Sequence, residues 1–147
     1  MKTTQPIRWG ILACGGIARK FADDLAYVTD GYLAAVASRD ISRAQEFASH
    51  YSKDVKTFGS YESMLASGEI DVVYIASPHG LHYEHTMLCL DAGLPVLCEK
   101  AFAINSGQVS KMIAKAREKN IFLMVGLAKT SNSKSPEKHH PIVISFP

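Results

Sequence analysis

Short apolar runs alternate with amphipathic stretches along most of the chain, a pattern that predicts βαβ units and a parallel sheet. Residues 7–13 read as a first strand and 16–28 as a helix. A second strand at 32–37 leads into a helix that carries Ala44, Phe47, Ala48 and Tyr51 on one face, the i, i+3, i+4, i+7 spacing. Asp40 is placed to cap it. A short strand near 55–58 precedes a one- or two-turn helix starting at Ser60. The run at 71–76 is almost continuously apolar, which predicts a central strand covered on both faces. The next helix sets Leu81, His85, Leu88, Cys89 and Ala92 on one face and stops at Gly93, a suitable residue just past a helix end. A fifth strand at 95–98 follows. Asn105 and Gln108 read as a capping box for a helix with Val109, Met112, Ile113 and Ala116 inside. A sixth strand is predicted at 121–125.

The expected fold class is therefore α/β: a doubly wound parallel sheet of strand order 3-2-1-4-5-6, with helices on both faces and right-handed crossovers. The pattern breaks after Gly126. Residues 129–141 are polar and broken by prolines, too poor in apolar surface to offset their ordering entropy. Ile142-Val143-Ile144-Ser145-Phe146 is apolar again and either adds an edge strand or stays loose. The reading is one domain over 1–126 and a short irregular tail over 127–147.

Composition narrows the function classes. The chain has 147 residues, 47% of them hydrophobic and 20% charged, as in one ordinary globular domain. A net charge of +2 argues for neither a nucleic-acid nor a membrane partner, and no run is long enough to span a bilayer. Lys2 and Arg8 before an apolar run resemble a leader segment, but Gly15-Gly16 and then Arg19-Lys20 interrupt it. Cys14, Cys89 and Cys98 form no C-x-x-C pair and are odd in number, which favours a reducing, cytoplasmic setting. His79 and His82 have no third partner at metal-ligand spacing, and His139-His140 sits in the polar tail, so no metal is expected.

Ligands of a doubly wound sheet sit outside the carboxyl ends of its strands, so the residues there carry the chemistry. After strand one comes Ala13-Cys14-Gly15-Gly16-Ile17-Ala18, a degenerate G-x-G-x-x-G/A fingerprint with alanine at the first glycine. Gly15 allows close approach of a pyrophosphate, and Ala18 allows tight helix–strand packing. After strand two, Ser38-Arg39-Asp40 offers a hydroxyl and a guanidinium where an NAD-selective site presents a carboxylate. That pair suits a 2′-phosphate, so NADP is expected ahead of NAD; the alternative is a solvated Arg39 beside a capping Asp40. After strand four, Ser77-Pro78-His79-Gly80-Leu81-His82 turns out of the sheet. His79 either lines the pocket or bonds backbone at a helix start, the role that His82 fits better. After strand five, Glu99-Lys100 puts a charge pair at a strand end. Lys100 would bond the nicotinamide ribose, hold a substrate oxygen and lower its pKa, or else lie on the surface; Glu99 more naturally pairs structurally.

Taken together, these segments resemble the N-terminal domain of the Gfo/Idh/MocA oxidoreductases. The carrying stretches are the turn from Trp9 to Ala18, Ala37-Ser38-Arg39-Asp40, the segment from Tyr74 to Tyr83, and Cys98-Glu99-Lys100-Ala101. Arg39-Asp40 and residues 87–90 bring the chain nearest the dihydrodiol dehydrogenases and NADP-dependent D-xylose dehydrogenases. The resemblance covers about residues 6–126. It implies a Rossmann fold and hydride transfer between NAD(P) and a sugar, polyol or cyclic dihydrodiol. It further implies cofactor contacts at Gly15, Gly16, Ile17, Ser38, Arg39, Ser77, Pro78, His79, His82, Glu99 and Lys100, with Lys100 also catalytic. Ala101 and His79 stand where proline and asparagine are frequent. Family members continue into a second domain that residues 127–147 do not match, as expected of a truncated or frameshifted product or of a short nucleotide-binding protein. The chain alone is expected to bind nucleotide and turn over little. The alternatives are a non-catalytic nucleotide-binding or interaction module, with homo-oligomers open, and a gene fragment without function.

Overall fold

The computed structural model describes residues 5–98, 106–125 and 142–144. Its backbone divides into two compact units, Met1–Ser77 and Pro78–Pro147.

The first unit runs β1 (Ile7–Leu12), α1 (Gly16–Leu25), β2 (Gly31–Ala37), α2 (Ile41–Ser49), β3 (Lys56–Phe58), α3 (Tyr61–Leu65) and β4 (Val72–Ile75). β1 pairs in parallel with both β2 and β4, and β2 pairs in parallel with β3. The strands are apolar on both faces where they are sandwiched: Ile11, Leu12, Ala35, Val36, Ala37, Val73 and Ile75 have no exposed surface. Helix α1 meets them with the small stripe Ala18, Ala22 and Leu25, and α2 with Ala44, Phe47 and Ala48. Phe21 stacks on the buried Tyr74 ring at 3.8 Å between centroids, and Trp9 meets Phe21 edge-on at 5.2 Å. The predicted length of α1, to residue 28, is too long. Ala26, Tyr27 and Val28 instead bond three residues back, because Tyr27 and Val28 are exposed and find no core to hold them helical.

In the second unit, a 3-10 turn (His79–Leu81) leads into α4 (His82–Asp91), followed by β5 (Val96–Cys98), α5 (Ser106–Glu118), β6 (Leu123–Val125) and β7 (Ile142–Ile144). β5 and β6 are parallel, and β7 joins β6 antiparallel. The apolar C-terminal run thus takes the edge-strand alternative at 142–144, whereas residues 129–141 and the expected cap at Asn105 lie outside the described residues. The expected inner face of α4 is corrected. Leu81 precedes the helix and Ala92 follows its last turn as an exposed cap, so the buried stripe is His82, His85, Thr86, Cys89 and Leu90. On α5 the fully buried positions are Met112 and Ala116, with Val109 and Ile113 half-buried.

Strand order is β3-β2-β1-β4-β5-β6-β7. Its first six members follow the predicted 3-2-1-4-5-6, and each described pair among them is parallel. The Rossmann arrangement is therefore present, extended by one antiparallel edge strand.

Candidate functional site

Within the first unit, Leu12 pairs with Ala37 on one side and Ile75 on the other. The chain segments that follow these three residues consequently emerge side by side at one sheet edge. This juxtaposition assembles Ala13–Ala18, Ser38–Asp40 and Ala76–Ser77.

The turn after β1 opens with Ala13 at φ 80°, a left-handed conformation that costs an L residue with a Cβ about 1–2 kcal/mol. Gly15 follows as the residue capping α1, and no side chain caps that helix. The other two helices of the unit are capped: Asp40 accepts from the Ser42 N–H on α2, and Ser60 accepts from the Ser63 N–H on α3. The first-turn N–H groups of Gly16, Ile17 and Ala18 thus lie at the positive end of a ten-residue helix with no acidic residue in its first turn. A methyl group placed on Gly15 or Gly16 would meet nothing within 4 Å. The turn is open, donor-rich and positive, which is what an anion such as a pyrophosphate requires. Ile17 is 42% exposed beside it.

At the tip of β2, Ser38 is buried and its Oγ accepts from the Asp40 N–H at 3.3 Å, while its own N–H donates to the Phe58 carbonyl. The Asp40 carboxylate is drawn onto the α2 N-terminus, 2.9 Å from the Ser42 nitrogen. Arg39 is exposed and enters no ion pair among the described residues. Among the described residues, therefore, an exposed guanidinium without an ion pair stands next to a carboxylate that is occupied with capping. Sequence reasoning missed Arg43, one turn into α2. Burial pushes the Cys14 thiol up to about 11, and the positive charges of Arg43 and Arg19 oppose that shift. Both guanidiniums thus act on the Cys14 thiol of the glycine turn through their charge. Arg19 is held by Glu46 at 3.8 Å and by the Phe47 ring at 5.4 Å, whereas no ion pair engages Arg43 among the described residues. Its signal in the sequence is its place three residues past the capping Asp40, in the first turn of α2.

Ser77, at the tip of β4, is buried. In the second unit, Pro78 takes the chain out of the strand and accepts from the Leu81 N–H in the 3-10 turn. His79 is exposed, His82 is 1% exposed, and the two rings meet edge to face at 5.4 Å. His82 is accordingly an interior residue at the start of α4. Glu99 and Lys100 lie outside the described residues. No group of three or more candidate metal ligands occurs among the described residues, and no described helix is long and apolar enough to cross a membrane.

Residues 7–127 match the family described as oxidoreductase family, NAD-binding Rossmann fold, of the Gfo/Idh/MocA group. The chain is 40% identical to the D-xylose 1-dehydrogenase (NADP(+)) of Hypocrea jecorina, over 80% of this chain and 33% of that protein. It is 42% identical to the mouse trans-1,2-dihydrobenzene-1,2-diol dehydrogenase, over 80% of this chain and 36% of the relative. Among solved structures it resembles the 3-ketoreductase KijD10 of Actinomadura kijaniata in complex with TDP-benzene and NADP. That likeness has a TM-score of 0.78 and 32% identity, covering 83% of this chain and 38% of the other. The chain spans about a third of the length of the curated relatives it matches. With the strand order, the open glycine turn and this match over most of its residues, the chain belongs to the Gfo/Idh/MocA oxidoreductases and carries their NAD(P)-binding Rossmann domain.

Proposed function

We propose that this domain binds NADP(H) in preference to NAD(H) and serves hydride transfer to or from a secondary alcohol of a sugar, polyol or cyclic diol. One observation carries the cofactor preference: among the described residues Arg39, at the tip of β2, enters no ion pair, while the neighbouring Asp40 carboxylate is engaged in capping α2. A carboxylate turned inward would repel a 2′-phosphate and favour the ribose hydroxyls of NAD; turned to the helix, it leaves the guanidinium to act. The pyrophosphate would lie on the N–H groups from Gly15 to Ile17. Ser38, Arg39 and Arg43 would take the 2′-phosphate, while Ser77, Pro78 and His79 would line the path towards the nicotinamide. His82, being buried, would support that loop from within. Lys100 would orient the substrate hydroxyl and assist its proton transfer, with Glu99 as its neighbour. The NADP-dependence named for the Hypocrea jecorina relative supports the cofactor assignment, and three cysteines without a C-x-x-C pair suit a reducing cytoplasmic setting.

The test is a fluorescence titration of the purified chain and Arg39→Ala with NADPH and with NADH. A charged hydrogen bond is worth about 1.5–3 kcal/mol, so NADPH affinity should fall roughly 10- to 100-fold with NADH unchanged. Equal effects on both cofactors, or none, would reduce Arg39 to a solvated residue.

A second reading, a nucleotide-binding module that acts by association, has one observation in its favour. Ile7, Tyr27, Val28 and Tyr32 are all exposed, Tyr27 at 89%, around the start of β1 and β2. Light scattering on the eluting chain separates the two: a clean monomer with and without NADPH argues against association.

A further inference from the structure

Ala13 occupies the one position of the glycine turn whose backbone is left-handed. Its φ of 80° lies where a Cβ crowds the neighbouring carbonyl and where glycine would sit freely. The chain's own bonds hold it there. The Ala13 N–H donates to the Ala37 carbonyl at 3.0 Å, and the Cys14 thiol reaches the same oxygen at 3.8 Å. On the other side, the Ala76 N–H fixes the Leu12 carbonyl at 3.0 Å. Ala37 directly precedes Ser38 and Arg39, so a single carbonyl ties the turn to the strand tip. A strained residue persists only where its surroundings over-determine it, and here the surroundings are protein groups. The strain is accordingly incurred on folding rather than on binding.

We propose that Ala13 is a positioning residue whose strained backbone pre-sets the turn against the tip of β2, so that fold stability is given up for tighter nucleotide binding. The proposal rests on the nucleotide-binding reading above. The Ala13 methyl narrows the φ and ψ values open to the turn. Glycine there would relieve the crowding but spread the turn over more conformers, which a bound pyrophosphate must then order. Stability and affinity should therefore move in opposite directions.

The experiment compares the purified chain with Ala13→Gly and Ala13→Ser, by thermal melting and by titration with NADPH and with ADP. Ala13→Gly should raise Tm by about 2–5 °C and weaken both ligands about threefold or more, since both present a pyrophosphate to the turn. Ala13→Ser keeps a Cβ and should hold the parent affinity. A higher Tm with unchanged affinity would show a purely structural residue and overturn the proposal, as would an unchanged Tm or a tighter Ala13→Gly. Failure of the parent chain to bind either ligand would overturn the nucleotide reading as well, a result distinct from binding that ignores residue 13.

Discussion

The Cys14 thiol lies half-buried in the glycine turn, with burial raising its pKa from 9.0 to about 11 against the pull of Arg43 and Arg19. In the fold the thiol keeps its proton after the unfolded chain has lost it. The stability tied to that proton is complete below about pH 9 and is lost as the pH rises towards about 11. Cys89 is fully buried and also shifted upward, so it contributes to the same decline. Cys14→Ala should remove only part of the alkaline loss, visible as a smaller difference between urea midpoints measured below pH 9 and between pH 9 and 11. An alkaline limb identical in both proteins would show that the thiol is not the titrating group. A protonated thiol is also a poor nucleophile, so slow reaction with thiol reagents is expected at neutral pH.

Helix ends separate structural glycines from those proposed to meet the nucleotide. Gly93 has φ 79° just past α4, where its N–H donates to the Leu90 carbonyl and that of Leu94 donates to Cys89. This is a Schellman closure, and Asn120 at φ 54° ends α5 in the same way, with Ile121 bonded to Ala116. Gly93→Ala should destabilise the fold by about 1–2 kcal/mol, measurable by urea denaturation. Gly16 behaves oppositely: it lies in the first turn of α1 with open space around its Cα. Gly16→Ala should leave stability unchanged or raise it by up to about 1 kcal/mol, yet on the proposed function it should weaken NADPH binding, because the added methyl would stand in the open space proposed for the phosphate. Comparable losses of stability in both variants would undo the distinction. Asp40→Ala should cost about 1 kcal/mol as a lost cap. Element positions were legible because strands need apolar runs and helices need a 3.6-residue stripe. Their ends were less so: the core decides them, as Tyr27 and Val28 show by leaving α1 early and His82 by entering α4 as its first buried residue.

For the molecule as a whole, the decisive number is that the chain spans about a third of its curated relatives. Positioning a reacting pair can be worth about 7–11 kcal/mol of barrier, and the matched third is the nucleotide-binding part. The 147-residue chain should therefore bind NADPH while showing no steady-state turnover with NADP and D-xylose. Sustained turnover would show that residues of this chain complete a catalytic site.

Strand order, parallel direction and the clustering of Gly15, Ser38 and Ser77 at one sheet edge could all be read from the chain. Right-handed crossovers and alternating strands and helices leave few other arrangements, and parallel strands put their carboxyl ends together. Side-chain competition could not be read that way. Whether Asp40 caps α2 or faces a ligand depends on where the Ser42 N–H comes to lie. Whether Arg39 and Arg43 enter ion pairs depends on which carboxylates come within reach; among the described residues Glu46 pairs with Arg19 and with neither of them. The left-handed backbone of Ala13 is likewise invisible in its letter. It arises where β1 must leave the sheet while its next N–H stays bonded to Ala37, a demand made by two neighbouring strands and not by the residue itself.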